Sequence, residues 1–124
     1  MPGEDMLAAL TAGDRVPWAN ARRQFMRSGV NKSSLDAIER AAFVIIFDND
    51  EYSYDKNDYS KLDHWAHAML HGNGANRWFD KSFNLVVSKN GRTGCNGEHS
   101  CQDAPVSMHL SEYFNWCDRR LGYS

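Results

Sequence analysis

The chain has 124 residues, about one domain's worth, and 42% of them are hydrophobic and 12% aromatic, enough to build a core. Its 14 basic and 16 acidic residues give a formal net charge of −2, without the basic excess expected of a nucleic-acid partner. No run of about 18 or more apolar residues occurs, so no segment reads as membrane-spanning, and the acidic opening Met1-Pro2-Gly3-Glu4-Asp5 lacks an apolar signal core.

Residues 6–10, Met-Leu-Ala-Ala-Leu, suit a strand end or a helical turn, and 11–14 read as a turn. Asp14 is the better N-cap for the next helix, because it puts Pro17 at the third helical position, where no backbone donor is needed. That helix is expected over about 15–27, with Trp18, Ala21 and Phe25 on one face and Ser28-Gly29 as its stop. Residues 31–34 offer caps for a second helix carrying Leu35, Ile38 and Ala41 or Ala42 inward. The uninterrupted run Phe43-Val44-Ile45-Ile46-Phe47 reads as a strand buried on both faces. Residues 48–63 are acidic and tyrosine-rich, and read as a solvated loop that Tyr52, Tyr54 or Tyr59 anchors.

A third helix is expected over about 60–71, with Leu62, Trp65, Ala66, Met69 and Leu70 on its apolar face and Gly72 as its stop. Phe83, Leu85 and Val87 alternate with Ser82, Asn84 and Val86, a strand pattern. Asn90-Gly91 signals a hairpin into a further strand at about 93–98. The last helix, about 104–121, carries Val106, Leu110, Phe114, Cys117 and Leu121 at helical spacing. Helices and strands that alternate before a hairpin favour an α/β fold, a mixed sheet layered with helices.

Three cysteines, Cys95, Cys101 and Cys117, cannot all pair within one chain and read as reduced thiols. His99 is the chemically suggestive residue. Imidazole, with an ordinary pKa of about 6.5, takes and returns protons near neutral pH. Gly94 and Gly97 precede it, and Asp103 follows four residues on, where Ala104-Pro105 should start a helix. His99 is then a general base with Asp103 as the acid that orients it, or Asp103 is an N-cap, and one aspartate can serve both ends. A Ser100-centred triad is disfavoured, since no GxSxG elbow is present. His64, His67 and His71 share one side of the third helix, and bind a metal such as zinc or form a solvated face. The stretch 77–82, Arg-Trp-Phe-Asp-Lys-Ser, is a loop held by an Arg77–Asp80 pair or a rigid wall beside an active site.

Several segments, in order, resemble the carnitine/choline acyltransferase family, and most of all its carnitine palmitoyltransferases. They are Leu-Ala-Ala-Leu-Thr-Ala-Gly-Asp-Arg-Val-Pro-Trp-Ala at 7–19, Ser-Leu-Asp-Ala-Ile-Glu at 34–39, Leu-His-Gly at 70–72, Asn-Arg-Trp-Phe-Asp-Lys-Ser-Phe at 76–83, and Glu98-His99-Ser100 with Asp103. The wording at 11–18 is similar to the malonyl-CoA-sensitive outer-membrane branch. The likeness runs from about Pro2 to Asp118. Palmitoyltransferases usually have an aromatic and a small residue where this chain has Cys101 and Gln102.

The resemblance implies a CoA-dependent acyltransferase-like α/β sandwich with the histidine in a tunnel between two halves. It implies transfer of a long-chain acyl group between CoA and carnitine, with His99 as base, acyl-CoA as co-substrate and no prosthetic group. Family members are several times longer. The 124 residues are therefore expected to be a single partial domain, the histidine-bearing part. The segments that bind CoA and carnitine, and the branch's membrane-spanning part, are expected elsewhere. The parent is expected to be mitochondrial, and outer-membrane anchored. Apolar surface should lie uncovered on the part alone. Two other readings stand beside this one: a metal-binding module on His64, His67 and His71, and a non-catalytic interaction domain that keeps the fold without the chemistry.

Overall fold

The structure, a computed structural model, describes residues 3–100 and 102–122. The apolar run near the start is helical, a 3-10 segment over Glu4–Ala12 that takes in the first two residues of the expected turn at 11–14. Thr11 closes its last turn by donating from Oγ1 to the Ala8 carbonyl at 2.6 Å. Helix α1, Arg15–Phe25, starts after Asp14 and carries Pro17 at its third position, as the capping argument requires. Its Trp18 is buried, but Phe25 is exposed and does not join that face.

Helix α2 spans Gly29–Arg40, so it starts earlier than the caps at 31–34 suggest. Gly29 holds a φ of 78°, which favours glycine, and reverses the chain between the two helices. A stop for one helix is thus also the start of the next. Arg22 of α1 ties them together, reaching Asp36 at 2.6 Å and Glu39 at 2.8 Å.

Strands β1 (Val44–Asp48), β2 (Phe83–Ser88) and β3 (Thr93–Gly97) form one sheet in the order β1-β2-β3. β1 pairs parallel to β2, with Val44 opposite Asn84 and Ile46 opposite Val86. The connection between them contains helix α3, Tyr59–Leu70, which gives a β-α-β unit. Asp58 caps α3 by accepting from the Ser60 amide at 3.2 Å. β2 and β3 are antiparallel, with Leu85 opposite Cys95, and are joined by the turn at Asn90-Gly91, where Gly91 has φ 79°. Helix α4, Ala104–Leu121, follows Asp103 with proline in its first turn. The result is α/β, with helices and a small mixed sheet.

The two sheet faces differ. Ile46 and Val86 pack with Tyr52 and with Ala68 and Met69 of α3, and Val44 and Trp65 join this core. Removing side chains of this size from water is worth roughly 1.5–3 kcal/mol each. Asn84 and Ser88 share this buried face, so in β2 the hidden alternation includes the polar residues. Each is satisfied. Asn84 donates to the Trp78 carbonyl at 3.0 Å and accepts from the Trp78 amide at 2.9 Å, and Ser88 donates to the Arg92 carbonyl at 2.8 Å.

Burial of β1 on both faces does not hold. Phe43 and Ile45 are half-exposed and Phe47 is 80% exposed. β1 is an edge strand whose second face no described element covers. The stretch after it is more ordered than a solvated loop: Tyr52 is buried in the core, as one of the expected anchors, and so is Asp48. In α3, Ala66 and Leu70 face solvent and Ala68 takes the inward position.

Candidate functional site

Gly97 ends β3 and Ala104 starts α4, so His99 sits on the turn between a strand and a helix. Its Nδ1 lies 2.8 Å from Oδ1 of Asp103. A carboxylate only accepts hydrogen bonds, so this contact assigns the proton to Nδ1 and makes Nε2 the acceptor nitrogen of the neutral ring. Asp103 holds the N-cap position of α4, yet its side chain makes no capping bond. The backbone caps instead, with the Asp103 carbonyl accepting from the Val106 amide at 3.0 Å. The carboxylate is thereby left for the histidine, beside the positive end of a helix dipole.

The turn itself is fixed by its polar groups. Glu98 accepts from the Ser100 amide at 2.9 Å and also from the Ser100 hydroxyl. These bonds, the hydroxyl's first, hold the Glu98 carboxyl below the usual carboxylate range, and the charges of Arg15 and His99 add to the effect. Ser100 therefore faces Glu98 and forms no triad with His99. The Glu98 amide donates to the Ser82 carbonyl at 3.0 Å, and Gln102 Nε2 donates to the same oxygen at 2.9 Å. Cys101 lies outside the described residues. Cys95 and Cys117 are free thiols.

His99 and Asp103 line a cavity of about 390 Å³ between β2, β3 and α4. Phe83, Leu85, Leu110 and Phe114 give it apolar walls, and Cys95 is also in its lining. Burial pushes the Cys95 thiol up, away from a reactive thiolate. The side chains of His99 and Asp103 are 80% and 75% exposed, so the pair stands at the cavity's edge and not inside it. A larger groove of about 830 Å³ runs along the 3-10 segment, α2 and β1, and His99 takes no part in it. Volume alone does not mark the chemistry.

The stretch 77–82 belongs to the same neighbourhood, but not as an Arg77–Asp80 clasp. Arg77 Nη2 reaches Asp48 Oδ2 at 2.9 Å and the Ala68 carbonyl at 2.7 Å. Phe79 donates its amide to Thr11 Oγ1 at 2.9 Å, and Lys81 donates to the Glu39 carbonyl at 3.1 Å. The stretch is thus pinned to the 3-10 segment, α2, α3 and β1. Its last residue, Ser82, offers the carbonyl that grips the His99 turn. The signal for Gln102 was present in sequence only as an unusual residue, with nothing to show what it would touch.

The three histidines of α3 line one small pocket with Asp48 and Asp50, and the rings of His67 and His71 lie 5.9 Å apart, but their nearest polar contacts differ. His64 leans on Tyr52 with ring centroids 5.6 Å apart, His67 points Nδ1 at Asp63 at 3.6 Å, and His71 donates from Nδ1 to the Gly72 carbonyl at 2.9 Å. Among the described residues, no group of three histidine, cysteine or acidic side chains is arranged to hold a metal. The metal-binding reading is therefore not supported. No helix of the described residues is long and apolar enough to cross a membrane.

The profile of the family Choline/Carnitine o-acyltransferase matches residues 2–120. The chain belongs to this family. It is 54% identical over 124 residues to human carnitine O-palmitoyltransferase 1, muscle isoform, across 99% of this chain and 16% of that protein. It is 52% identical over 125 residues to the human liver isoform, with the same shares. Human carnitine O-palmitoyltransferase 2, mitochondrial, is 44% identical over 104 residues, 84% of this chain and 15% of the relative. The chain spans about a sixth of the length of these palmitoyltransferases. The acyltransferase resemblance of the motifs thus extends over the whole chain.

Proposed function

We propose that this chain is the histidine-bearing part of a carnitine O-acyltransferase that moves a long-chain acyl group between CoA and carnitine. The observation that carries the reading is the 2.8 Å contact of His99 Nδ1 with Asp103 at the edge of an apolar cavity. It leaves Nε2 as the proton-accepting nitrogen of the neutral ring. In the proposed reaction, Nε2 takes the proton of the carnitine hydroxyl while that oxygen attacks the thioester carbonyl carbon. The tetrahedral intermediate then collapses, the carbon–sulfur bond breaks, and the imidazolium returns its proton to the CoA thiolate. Asp103 keeps the ring in the required tautomer and stabilises its charged form.

The names of the relatives support both the substrates and a mitochondrial location. The apolar cavity walls suit the acyl chain. The exposed face of β1 supports reading the chain as one partial domain of a larger sandwich, with outer-membrane anchoring supplied by other parts of the parent. Oxyanion donors, worth about 2.7–4 kcal/mol each in other enzymes, belong to those parts as well. The chain alone is therefore expected to transfer no acyl groups. Joined to the remaining length of a palmitoyltransferase, it should form palmitoylcarnitine from palmitoyl-CoA. A joined protein that folds and binds CoA but makes no palmitoylcarnitine would instead support an interaction domain without chemistry.

A further inference from the structure

We infer that Gln102 is a positioning residue that sets the geometry of His99, an inference that rests on the reading of His99 as the base. Glu98, His99, Ser100, Gln102 and Asp103 lie in neither strand nor helix, and His99 itself is exposed. The turn is fixed where its two ends meet one acceptor. The Ser82 carbonyl receives the Glu98 amide at 3.0 Å and Gln102 Nε2 at 2.9 Å, which fills both lone pairs of that oxygen. The facing group is a carbonyl, so the Gln102 amide must turn its nitrogen toward it.

Ser82 is in turn anchored. It ends the stretch tied to Thr11, Glu39 and Asp48, and directly precedes β2. Gln102 thus fastens the exposed turn to a stretch pinned by hydrogen bonds to three other elements. It sits one residue before Asp103, so its position decides whether the carboxylate meets Nδ1. The alanine or glycine expected here from the resemblance has no side-chain donor and makes no such bond. This chain has an amide clamp of its own.

The test is the tautomer of His99, read by nitrogen NMR on the 124-residue chain at about pH 8.5, where an ordinary imidazole is neutral. The unaltered chain should show the Nδ1-protonated form, together with an Overhauser contact from the Gln102 side-chain amide to residues 82 and 83. Gln102→Met keeps length and removes the donor. It should shift the ring toward a mixture of tautomers while the amide signals of Val86 and Cys95 stay in place. An unshifted tautomer in this variant would overturn the inference and leave the proposed reaction standing. Asp103→Asn with no effect on the tautomer would overturn both. If Gln102→Met fails to fold, the Overhauser contact in the unaltered chain decides, and its absence refutes the clamp.

Discussion

Arg77 meets Asp48 as a buried ion pair, Nη2 to Oδ2 at 2.9 Å, with the arginine side chain fully inaccessible to solvent. The two residues are 29 apart in sequence. Asn76 adds a bond to Asp48 Oδ1 at 2.8 Å and accepts one from Arg77 Nη1 at 2.8 Å. The pair joins the end of β1 to the stretch that precedes β2, and the Ala68 carbonyl brings in α3. Removing one partner leaves the other charged and buried. Arg77→Leu or Asp48→Leu is expected to cost about 3–5 kcal/mol in urea unfolding, and the double substitution far less than the sum.

Tyr52 lies against the same carboxylate, with its hydroxyl 3.5 Å from Asp48 Oδ2. Burial, with the charges of Asp48 and Asp50 behind it, pushes its phenol above the ordinary value. The folded state therefore holds this proton more tightly than the unfolded chain. The resulting stability is complete below about pH 10 and is lost as pH rises through the raised value. Thermal melts should fall more steeply with alkaline pH in the unaltered chain than in Tyr52→Phe. Parallel curves would contradict this.

Gly94 is where α3 touches β3. A Cβ there would lie 2.1 Å from Met69 Sδ and 2.5 Å from its Cγ, and Met69 is buried. Gly94→Ala is expected to destabilise by about 1–3 kcal/mol through overpacking. Gly94→Ala combined with Met69→Ala should recover part of that loss, as measured by urea midpoints.

The uncovered face of β1 also has a measurable consequence. Phe43 stacks on Phe83 with centroids 4.7 Å apart, while Phe47 stands alone in solvent. The chain is expected to associate at rising concentration in sedimentation velocity. Phe47→Lys should shift it toward monomer.

Much of this arrangement was legible in the residues. The hairpin at Asn90-Gly91, the helix start at Asp14 and the strand-turn-helix around His99 follow from local turn and capping chemistry. The errors came from long-range partners. Phe43 to Phe47 are apolar enough for a two-sided core, but the elements that would cover the second face are not among the described ones. Asp48 looked solvated because its partner lies 29 residues on. Ser28-Gly29 looked like a stop, and local signals do not say that the next helix starts on the same glycine. The three histidines of α3 share a helix face, yet His64 leans on Tyr52, His67 points at Asp63 and His71 donates to the Gly72 carbonyl. Gln102 was visible only as an odd residue until Ser82 came beside it.

The central claim concerns one imidazole, and a palmitoyl-transfer assay tests it most directly. The chain is joined to the remaining length of a palmitoyltransferase, and turnover is compared with and without His99→Ala. The account expects kcat to fall about 10²–10⁴-fold while the joined protein remains folded and binds CoA. Turnover that survives His99→Ala within a few-fold would contradict it.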